Sequence, residues 1–374
     1  RVPNEMDGVP YLTQFPIAGG EQFQYSFTPA DAGTFWYHPH CMTMDQMAMG
    51  LTGVLIVDET EDPGFDVDIS LNLRDFRLDG EGQWLDLWTA RGAARGGTFG
   101  TVMTANWDVE PTYSVPAGGL VRLRLAATDT TRIYRIFVPD AKGHVIALDG
   151  HPLRAPFPVP NHAENALVLA PGQRADLALV APDFESQALK IMTDAPGPPR
   201  LLANLMSEGR NSGRDLEDLR PLAPNPVAEP DLTNARLEEF VFGWSPEDDL
   251  PNNGYCGTLG YTFWSINRQP WPGDAAPGTG PLATLRMGES VVMRLRNESP
   301  NAHPIHLHGL VFRQIRSNKR KISDHWTDTA LLLKDETIDI ALVADNPGDW
   351  AFHCHVIEHQ KTGLAGFIRV LDPE

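Results

Sequence analysis

The sequence has few cysteines, few basic residues relative to acidic ones, and no long hydrophobic run. Three cysteines in 374 residues allow at most one disulfide, so a disulfide-rich scaffold is excluded. Lys and Arg number 30 against 49 Asp and Glu, and the net charge of −19 argues against nucleic acid as a partner. No apolar run approaches the roughly 18 residues of a membrane-spanning helix, so we expect no membrane span.

Long helical patterns are also scarce, whereas glycine and proline are abundant. The 33 Gly and 32 Pro separate short, alternating apolar runs, a pattern typical of strands joined by turns. The chain is too long for one typical domain, and its length suggests two or three. We therefore predict an all-β protein built from sandwich-like domains in series.

Two segments near the start of the chain recur near its end. The run GTFWYHPH at 33–40 resembles GDWAFHCH at 348–355, and GLTGVLIVDE at 50–59 resembles GLAGFIRVLD at 363–372. Such repeats indicate that one strand-rich domain was duplicated. The second copy has Cys354 where the first has Pro39, so only the second copy can hold a metal through a thiolate.

The strand patterns divide the chain into three units and a connection. Residues 1–59 would be the carboxy-terminal part of a first β-domain, 60–195 a second and 236–374 a third. Residues 196–235 are rich in Pro, Gly and charge and poor in apolar periodicity, which predicts a linker. The second unit has three histidines without two-residue spacing, for which we predict no metal role: His144, His151 and His162.

The segment HCHVIEHQKTGL at 353–364 carries the strongest chemical signal in the chain. Alternate side chains of a strand point to opposite faces. His353 and His355 would therefore share one face, and Cys354 would take the other. One short segment would then serve two metal sites that lie back to back.

A second segment, HPIHLHG at 303–309, has matching parity. His306 and His308 share a face, and His303 points the other way if the strand extends that far. Pairing the two strands would bring His303 to Cys354, and His359 would add a second imidazole from the following loop. Two histidines and one cysteine in a trigonal arrangement are the ligands of a blue-copper site. Zinc, the alternative, would require a fourth strong ligand.

The HPH motif contains His38 and His40, which also share a strand face. Such a pair alone would more often be surface histidines in a turn, but here the repeat links it to the HCH motif. Together, HPH, HPIHLHG and HCHVIEH resemble the copper-binding segments of the multicopper oxidases, the family of laccases, ascorbate oxidase and bacterial cuproxidases.

This resemblance implies three cupredoxin-like Greek-key β-sandwich domains in series, the first incomplete. It also implies an enzyme that oxidises phenols, aromatic amines or metal ions by single electrons at a type 1 copper and reduces dioxygen to water at a trinuclear copper cluster. A complete chain would hold four coppers: one type 1, one type 2 and a binuclear type 3 pair. The implied ligands are His303, Cys354 and His359 for type 1, His306 for type 2, His38 and His355 for one type 3 ion, and His40, His308 and His353 for the other.

The resemblance further implies an upstream HWHG segment that supplies two more cluster ligands. The sequence starts at Arg1 without it, so we expect an amino-terminally truncated chain with a complete type 1 site and a defective cluster. Proteins of this family are usually exported, which implies a periplasmic or secreted protein whose signal lies in the same upstream segment.

Three single residues acquire expected roles from the resemblance. Asp7 falls where an acidic residue helps to deliver protons to reduced oxygen, although an Asp in a turn before Gly8 is the structural alternative. Leu364 replaces a weak axial Met, which implies a comparatively high reduction potential. The ring edge of His359 would be the point at which electrons arrive.

Several questions stay open from the sequence alone. Thioethers suit Cu(I), so a cluster of four methionines is a candidate cuprous site, with packing against strands as the simpler interpretation: Met42, Met44, Met47 and Met49. Cys41 and Cys256 either pair or remain free thiols. The functional alternatives are a cuprous or manganous metallo-oxidase of copper tolerance, a copper nitrite reductase, and a non-catalytic copper-binding fragment.

Overall fold

The computed structural model describes residues 1–194, 197–246, 256–273 and 279–372. Within these ranges the secondary structure is almost entirely β-strand, and no helix is long and apolar enough to cross a membrane. The described helices are all short: α1 (Thr43–Ala48), α2 (Ala90–Ala93), α3 (Ile357–Gln360), and 3-10 turns at Asn4–Met6, Ala163–Asn165 and Leu216–Asp218. The predicted all-β fold is therefore confirmed.

The first unit contains one two-stranded antiparallel sheet, formed by β1 (Gly33–Tyr37) and β2 (Gly53–Val57). Helix α1 lies in the connection between the two strands. Its apolar side packs inward, because Met44 and Met47 are buried in a small cluster with Ile357 of α3. This cluster joins the first unit to the end of the chain.

The middle unit is built from two sheets of five and six strands. The strand order is β10-β7-β12-β13-β5 in one sheet and β4-β3-β6-β11-β8-β9 in the other. The strands are β3 (Val67–Phe76), β4 (Val102–Ala105), β5 (Thr112–Pro116), β6 (Leu120–Ala127), β7 (Tyr134–Phe137), β8 (Lys142–Leu148), β9 (His151–Pro158), β10 (Leu167–Leu169), β11 (Arg174–Val180), β12 (Ala188–Thr193) and β13 (Arg200–Glu208).

The third unit also has two sheets, ordered β15-β14-β17-β22-β19-β20 and β16-β24-β23-β18-β21. Its strands are β14 (Arg236–Trp244), β15 (Trp264–Ile266), β16 (Ala283–Arg286), β17 (Ser290–Asn297), β18 (His303–Leu307), β19 (Phe312–Ser317), β20 (Trp326–Thr327), β21 (Thr329–Leu332), β22 (Thr337–Val343), β23 (Gly348–Cys354) and β24 (Ala365–Leu371). Each of the two large units encloses its own apolar core between its sheets.

The middle and third units have the same strand arrangement. Parallel pairs occur at equivalent places, with β3–β6 matching β14–β17 and β13–β5 matching β24–β16. Strands β18 and β23, which carry the two richest histidine motifs, thus occupy the positions of β7 and β12. The fold explains why the middle unit shows similar strand patterns without those motifs.

The repeat between the two ends of the chain holds at the level of strand register. In the first unit Tyr37 pairs with Gly53, and in the third unit the corresponding Phe352 pairs with Gly366. The two hairpins therefore align residue by residue. This agreement supports the interpretation that the HPH and HCH motifs are two copies of one structural element.

The predicted linker at 196–235 is wrong for its first part. Residue 196 lies outside the described residues, but β13 pairs with β12 and β5 as an inner strand of the five-stranded sheet. Its apolar run RLLANLMSE is short and stands between PGPP and a charged stretch, which hides it in the sequence. After β13 the chain follows a largely irregular path to β14, and Asn225 hydrogen-bonds Ala32 and Gly150 on the way. The other predicted domain boundaries remain predictions.

Buried ion pairs join the first and middle units. Arg122 and Arg124 alternate with apolar residues on β6, and Asp176 of β11 accepts hydrogen bonds from Arg122. Arg124 donates to Thr34 Oγ1 of β1 at 2.9 Å, and Arg122 donates to Glu59 at 2.9 Å. Because every member has a partner, the outer face of this sheet can be buried against β1 without leaving an uncompensated charge.

Candidate metal centre

The two histidine-rich strands β18 and β23 are neighbours in the five-stranded sheet. Their antiparallel register places His306 opposite His353 and Ile305 opposite Cys354. Side chains that lie opposite one another share a face of the sheet. The predicted parity is therefore present in the structure, with histidines on one face and Cys354 on the other.

On the cysteine face, three donor atoms converge in a fully buried pocket. The Cys354 Sγ lies 3.6 Å from His303 Nδ1 and 3.5 Å from His359 Nδ1, and the two nitrogens are 3.0 Å apart. All three side chains are fully buried. His359 comes from α3, immediately after the strand, so the loop returns it to the cysteine as predicted.

Hydrogen bonds fix the protonation of the two imidazoles in this pocket. His359 Nε2 donates to the carbonyl oxygen of Arg95 at 2.5 Å, because a carbonyl can only accept. Ser299 Oγ lies 2.7 Å from His303 Nε2 and donates its own proton to the Asn301 carbonyl, so it accepts from the ring. Both Nδ1 atoms are consequently left with lone pairs directed at the cysteine sulfur.

Burial tunes the three groups in opposite directions. It lowers the pKa of His359 to about 4 and lowers the pKa of His303 well below its ordinary value, so both rings are neutral ligands at pH 7. Burial also raises the pKa of the Cys354 thiol. A thiolate would form here only with a cation to compensate it, which is what a bound metal provides.

On the opposite face, His40, His308 and His353 form a second group whose donor atoms lie within 4.8 Å of one another. His308 Nε2 and His353 Nε2 are 3.1 Å apart. The Nδ1 atom of His308 donates to Asp7, and that of His353 donates to the Cys354 carbonyl at 2.9 Å. Two lone pairs therefore face each other, and both ring nitrogens of buried His40 lack a hydrogen-bond partner among the described residues. This arrangement suits a shared cation.

The remaining three predicted ligands surround the same region. The ring centroid of His355 lies 5.3 Å from that of His38 and 5.6 Å from that of His306. His38 Nδ1 donates to the Pro39 carbonyl and His306 Nδ1 to the Asp328 carbonyl. Within the described ranges these three do not form a complete three-donor group of their own. Burial lowers the pKa of His38 to about 3.

Asp7 reaches this face from the first unit. Both of its carboxylate oxygens lie 3.0 Å from His308 Nδ1, and its side chain is only 9% exposed. A carboxylate that accepts from the distal nitrogen of a ligand fixes the ring's tautomer and increases its basicity. The turn interpretation of Asp7 does not account for this contact.

Several supporting residues were not predicted from the sequence. Arg174 of β11 forms two hydrogen bonds to the Asp328 carboxylate, at 2.8 and 2.7 Å, and so holds the residue whose carbonyl orients His306. Gly172 packs against the ring of His355, where a Cβ would lie 2.8 Å from Cδ2. The APGQR turn was visible in the sequence, but its packing partner lies in another unit.

The cysteine-side pocket also has an unexpected cover. His359 is fully buried, and the segment around Arg95 in the middle unit lies against its outer ring nitrogen. The adjacent Thr98 N–H donates to the Glu358 carboxylate at 2.6 Å. The His359 edge, which is the expected point of electron entry, is therefore covered by the Arg95 backbone and is closed to direct contact by a donor in solution.

Two open questions from the sequence receive structural answers. Cys41 and Cys256 form a disulfide across 215 residues, and it connects the first and third units. Met44 and Met47 are buried in packing contacts, whereas Met42 and Met49 are 39% and 51% exposed. The packing interpretation therefore applies to two of the four methionines, in a helix rather than a strand.

Comparisons with known proteins identify the family to which the chain is similar. A family model described as "Multicopper oxidase" matches residues 255–374, and another with the same description matches residues 1–62. The crystal structure of a multi-copper oxidase from Pseudomonas thermotolerans is 41% identical, with a TM-score of 0.88 over 99% of this chain and 84% of that one.

More distant relatives point the same way. Multicopper oxidase MmcO from Mycobacterium tuberculosis is 27% identical over 97% of this chain and 73% of its own length. Iron transport multicopper oxidase FET3 from Candida albicans is 26% identical, and the match spans the whole of this chain but 66% of the relative. With its cysteine and histidine clusters on opposite faces of β23, the chain belongs to the multicopper oxidase family of copper-dependent oxidoreductases.

Proposed function

We propose that this protein couples the one-electron oxidation of phenols, aromatic amines or metal ions at a type 1 copper to the four-electron reduction of dioxygen to water at a trinuclear copper cluster. The observation that carries the proposal is the back-to-back arrangement on β23. Cys354 meets two imidazoles on one face, and His353 meets other imidazoles on the opposite face. Adjacent residues of one strand thereby connect two different metal sites.

The residues present fit copper at the cysteine site. Two neutral Nδ1 donors and one sulfur, all on fully buried side chains, match the trigonal ligand set of a blue-copper centre. Leu364 is fully buried in the same loop and offers no fourth donor, which disfavours a closed tetrahedral zinc site. We assign His303, Cys354 and His359 to type 1 copper.

The histidine face would hold the cluster. The facing lone pairs of His308 and His353, together with the unpartnered nitrogens of His40, support a shared type 3 ion. We assign His38 and His355 to the other type 3 ion and His306 to type 2 copper. The Nδ1 atoms of His38 and His306 donate to backbone carbonyls, which leaves their Nε2 atoms free to bind. The Nδ1 atom of buried His355 has no hydrogen-bond partner among the described residues, which also suits a metal ligand.

When bound, copper supplies one-electron redox chemistry at the sulfur site and dioxygen reduction at the histidine site. The chain's own part is to hold the ligands and exclude water. Arg95 and Ser299 fix the tautomers of the type 1 histidines. Asp7 orients His308, and as a slightly exposed carboxylate it can also accept and pass on protons.

The electron donor and the compartment are inferred from the net charge, a relative's name and the disulfide. The net charge of −19 favours neutral or cationic donors over anionic ones. The iron transport function in the name of the Candida albicans relative supports metal ions as a donor class, and a cuprous or manganous metallo-oxidase of copper tolerance is the second candidate. The Cys41–Cys256 disulfide supports a periplasmic or secreted location, because disulfides persist in oxidising compartments.

Copper loading tests the proposal. The loaded protein should show the intense blue absorption of a copper thiolate. A protein that also carries the HWHG segment implied by the family resemblance should in addition consume oxygen with a phenolic or aromatic amine donor. Cys354→Ser should abolish the blue band, whereas His308→Ala should keep the band and lose oxygen consumption. A blue protein without oxygen consumption would identify the non-catalytic alternative, and nitrite reduction in its place would identify a nitrite reductase. Failure to bind copper would refute the proposal.

The axial position offers a second test. Leu364 is fully buried, and replacing it by Met would add a thioether ligand that stabilises Cu(II). Leu364→Met should therefore lower the type 1 reduction potential in a spectroelectrochemical titration. Leu285→Met, at an equally buried core position in β16, is the control and should leave the potential unchanged. An unchanged potential in Leu364→Met would contradict the assignment.

A further inference from the structure

The type 1 ligands cannot be touched directly by a donor from solution. Cys354, His303 and His359 are fully buried. The outer nitrogen of His359 faces the Arg95 carbonyl, and that of His303 faces Ser299. Electrons from a donor must therefore cross some group that separates these rings from the surface.

Trp264 is the aromatic group that contacts both ligand rings. Its ring centroid lies 5.0 Å from that of His303 and 4.9 Å from that of His359. The indole is fully buried, and its Nε1 donates to the Ala93 carbonyl at 2.7 Å. Its backbone N–H also donates to the Thr362 carbonyl in the type 1 loop at 3.0 Å. The ring is thus held rigidly against the site.

A second indole continues from Trp264 to the surface. Trp244 on β14 is the cross-strand partner of Trp264 on β15. The two rings stack with centroids 4.3 Å apart and an interplanar angle of 14°. Ser265 Oγ donates to the Trp244 carbonyl at 3.0 Å and fixes the pair from the strand side. Unlike its partner, Trp244 is 48% exposed.

We propose that the exposed indole of Trp244 is the docking and electron-input site for aromatic amine donors, and that the Trp244–Trp264 stack couples them electronically to the type 1 site. This inference rests on the proposed function. An exposed indole face attracts planar and cationic aromatic molecules, and the acidic net charge favours the same molecules. The donor would stack on Trp244 without reaching any copper ligand.

The electron balance of the step is simple. The amine donor loses one electron and becomes a radical cation, and type 1 Cu(II) gains that electron and becomes Cu(I). The two indoles lie between them as a continuous π-stack and are unchanged at the end. No proton and no other oxidant is required. The contacts of Trp244 with Trp264 and of Trp264 with the ligand imidazoles provide aromatic coupling, where saturated side chains would slow electron transfer.

The backbone at Arg95 is the competing route, since its carbonyl accepts directly from His359. Substitutions at Trp244 separate the two routes because they leave the Arg95 peptide in place. Trp244→Leu removes the ring, and Trp244→Phe keeps a smaller ring. Trp107→Leu is the matched control, because Trp107 of the middle unit is 47% exposed and lies beside Gly50 of the first unit.

The first measurement uses the copper-free protein, with N,N-dimethyl-p-phenylenediamine as the probe in calorimetric titration. Loss of an exposed aromatic contact should weaken binding by about two- to fivefold in Trp244→Leu. Trp244→Phe should weaken it less, and Trp107→Leu should leave it unchanged. Equal affinities in wild type and Trp244→Leu would overturn the docking site.

The second measurement uses the copper-loaded protein under anaerobic conditions, with stopped-flow bleaching of the blue band by the same amine. The bimolecular rate constant should fall in Trp244→Leu by more than the loss of affinity, with partial rescue in Trp244→Phe. The type 1 reduction potential and electron paramagnetic resonance spectrum should stay unchanged. Equal rates in all variants, or a loss explained by a shifted potential, would overturn the electron path.

The two proposals fail in distinguishable ways. A wild-type protein with no blue band, or with a band that no donor bleaches, would count against the proposed function. In that case the copper-free titration still decides whether Trp244 binds the amine. A wild-type band that bleaches as fast as that of Trp244→Leu would leave the proposed function intact and refute only the indole route.

Discussion

Replacing Gly172 by Ala should damage the histidine face of the metal centre while sparing the cysteine face. Gly172 lies in the turn before β11 with φ of +92°, and its carbonyl accepts from Trp36 and Arg174. An added Cβ would lie 2.8 Å from His355 Cδ2 and 3.1 Å from Cγ. The imidazole or the turn must therefore move.

The expected cost has two separable parts. A positive φ costs a residue with a Cβ about 1–2 kcal/mol, and overpacking a buried contact costs about 1–3 kcal/mol. Gly64→Ala is the matched control, because Gly64 has φ of +91° and its nearest neighbour would be 3.8 Å away. The control should lose about 1–2 kcal/mol of unfolding free energy, and Gly172→Ala about 2–5 kcal/mol.

Urea unfolding of the copper-free variants measures the loss of stability. Copper content and the blue absorption measure the damage to the histidine face. Gly172→Ala should retain the type 1 band, because none of its ligands is displaced, but should bind less copper at the cluster. The Gly64→Ala control should match wild type in both blue absorption and copper content. If Gly172→Ala were no less stable than Gly64→Ala and bound the same amount of copper, the packing argument would be refuted.

Three further predictions concern other parts of the chain. Asp7→Ala should lower copper affinity at the histidine face by about 10–100-fold, since the tautomer of His308 is no longer fixed. Competition with a chelator measures this affinity, and an unchanged value would contradict the orienting role of Asp7. Cys41→Ser should cost about 3–5 kcal/mol because it opens a long loop closed by Cys256, and reductant should destabilise wild type but not the variant in urea unfolding. Burial lowers the pKa of His151 to about 4, so as pH falls from 6.5 to 4 the unfolded chain binds a proton at this ring that the folded chain does not, and the free energy of unfolding drops by up to about 1.4 kcal/mol per pH unit. His151→Gln should reduce this dependence of unfolding free energy on pH in the copper-free protein. An unchanged pH dependence would exclude this histidine as its source.

The division of the candidate ligands between the two faces of β23 could be predicted because strand alternation is a local property. The two-residue steps in HPIHLHG and HCH place His306 with His353 and leave Cys354 on the other face, and the register of β18 and β23 has this arrangement. The same rule explains why the repeats at the two ends align. Once a strand is recognised, the orientation of its side chains follows without knowledge of distant contacts.

Contacts between units could not be predicted in this way. The carbonyl that covers His359 belongs to Arg95, which lies 264 residues away in the chain. The glycine that makes room for His355 belongs to a turn of the middle unit. Strand β13 was missed for a different reason, since its apolar run follows the proline-rich PGPP and precedes a charged stretch. A buried inner strand needs no clear alternation to be stable.

Neither candidate metal site is formed by a single unit of the fold. The proposed type 1 ligands come from the third unit, but the middle unit covers them through Arg95 and contacts the following loop, where the Ile357 N–H donates to the Thr130 carbonyl. The histidine face takes His40 from the first unit and His308 from the third. Because ligands must be oriented before they bind strongly, the units must dock before either site is complete. Copper binding would then stabilise the docked arrangement by the same free energy with which docking strengthens copper binding. The buried ion pairs at β6 and the Cys41–Cys256 disulfide join units of the fold, and they therefore favour the docked arrangement without contacting a candidate ligand.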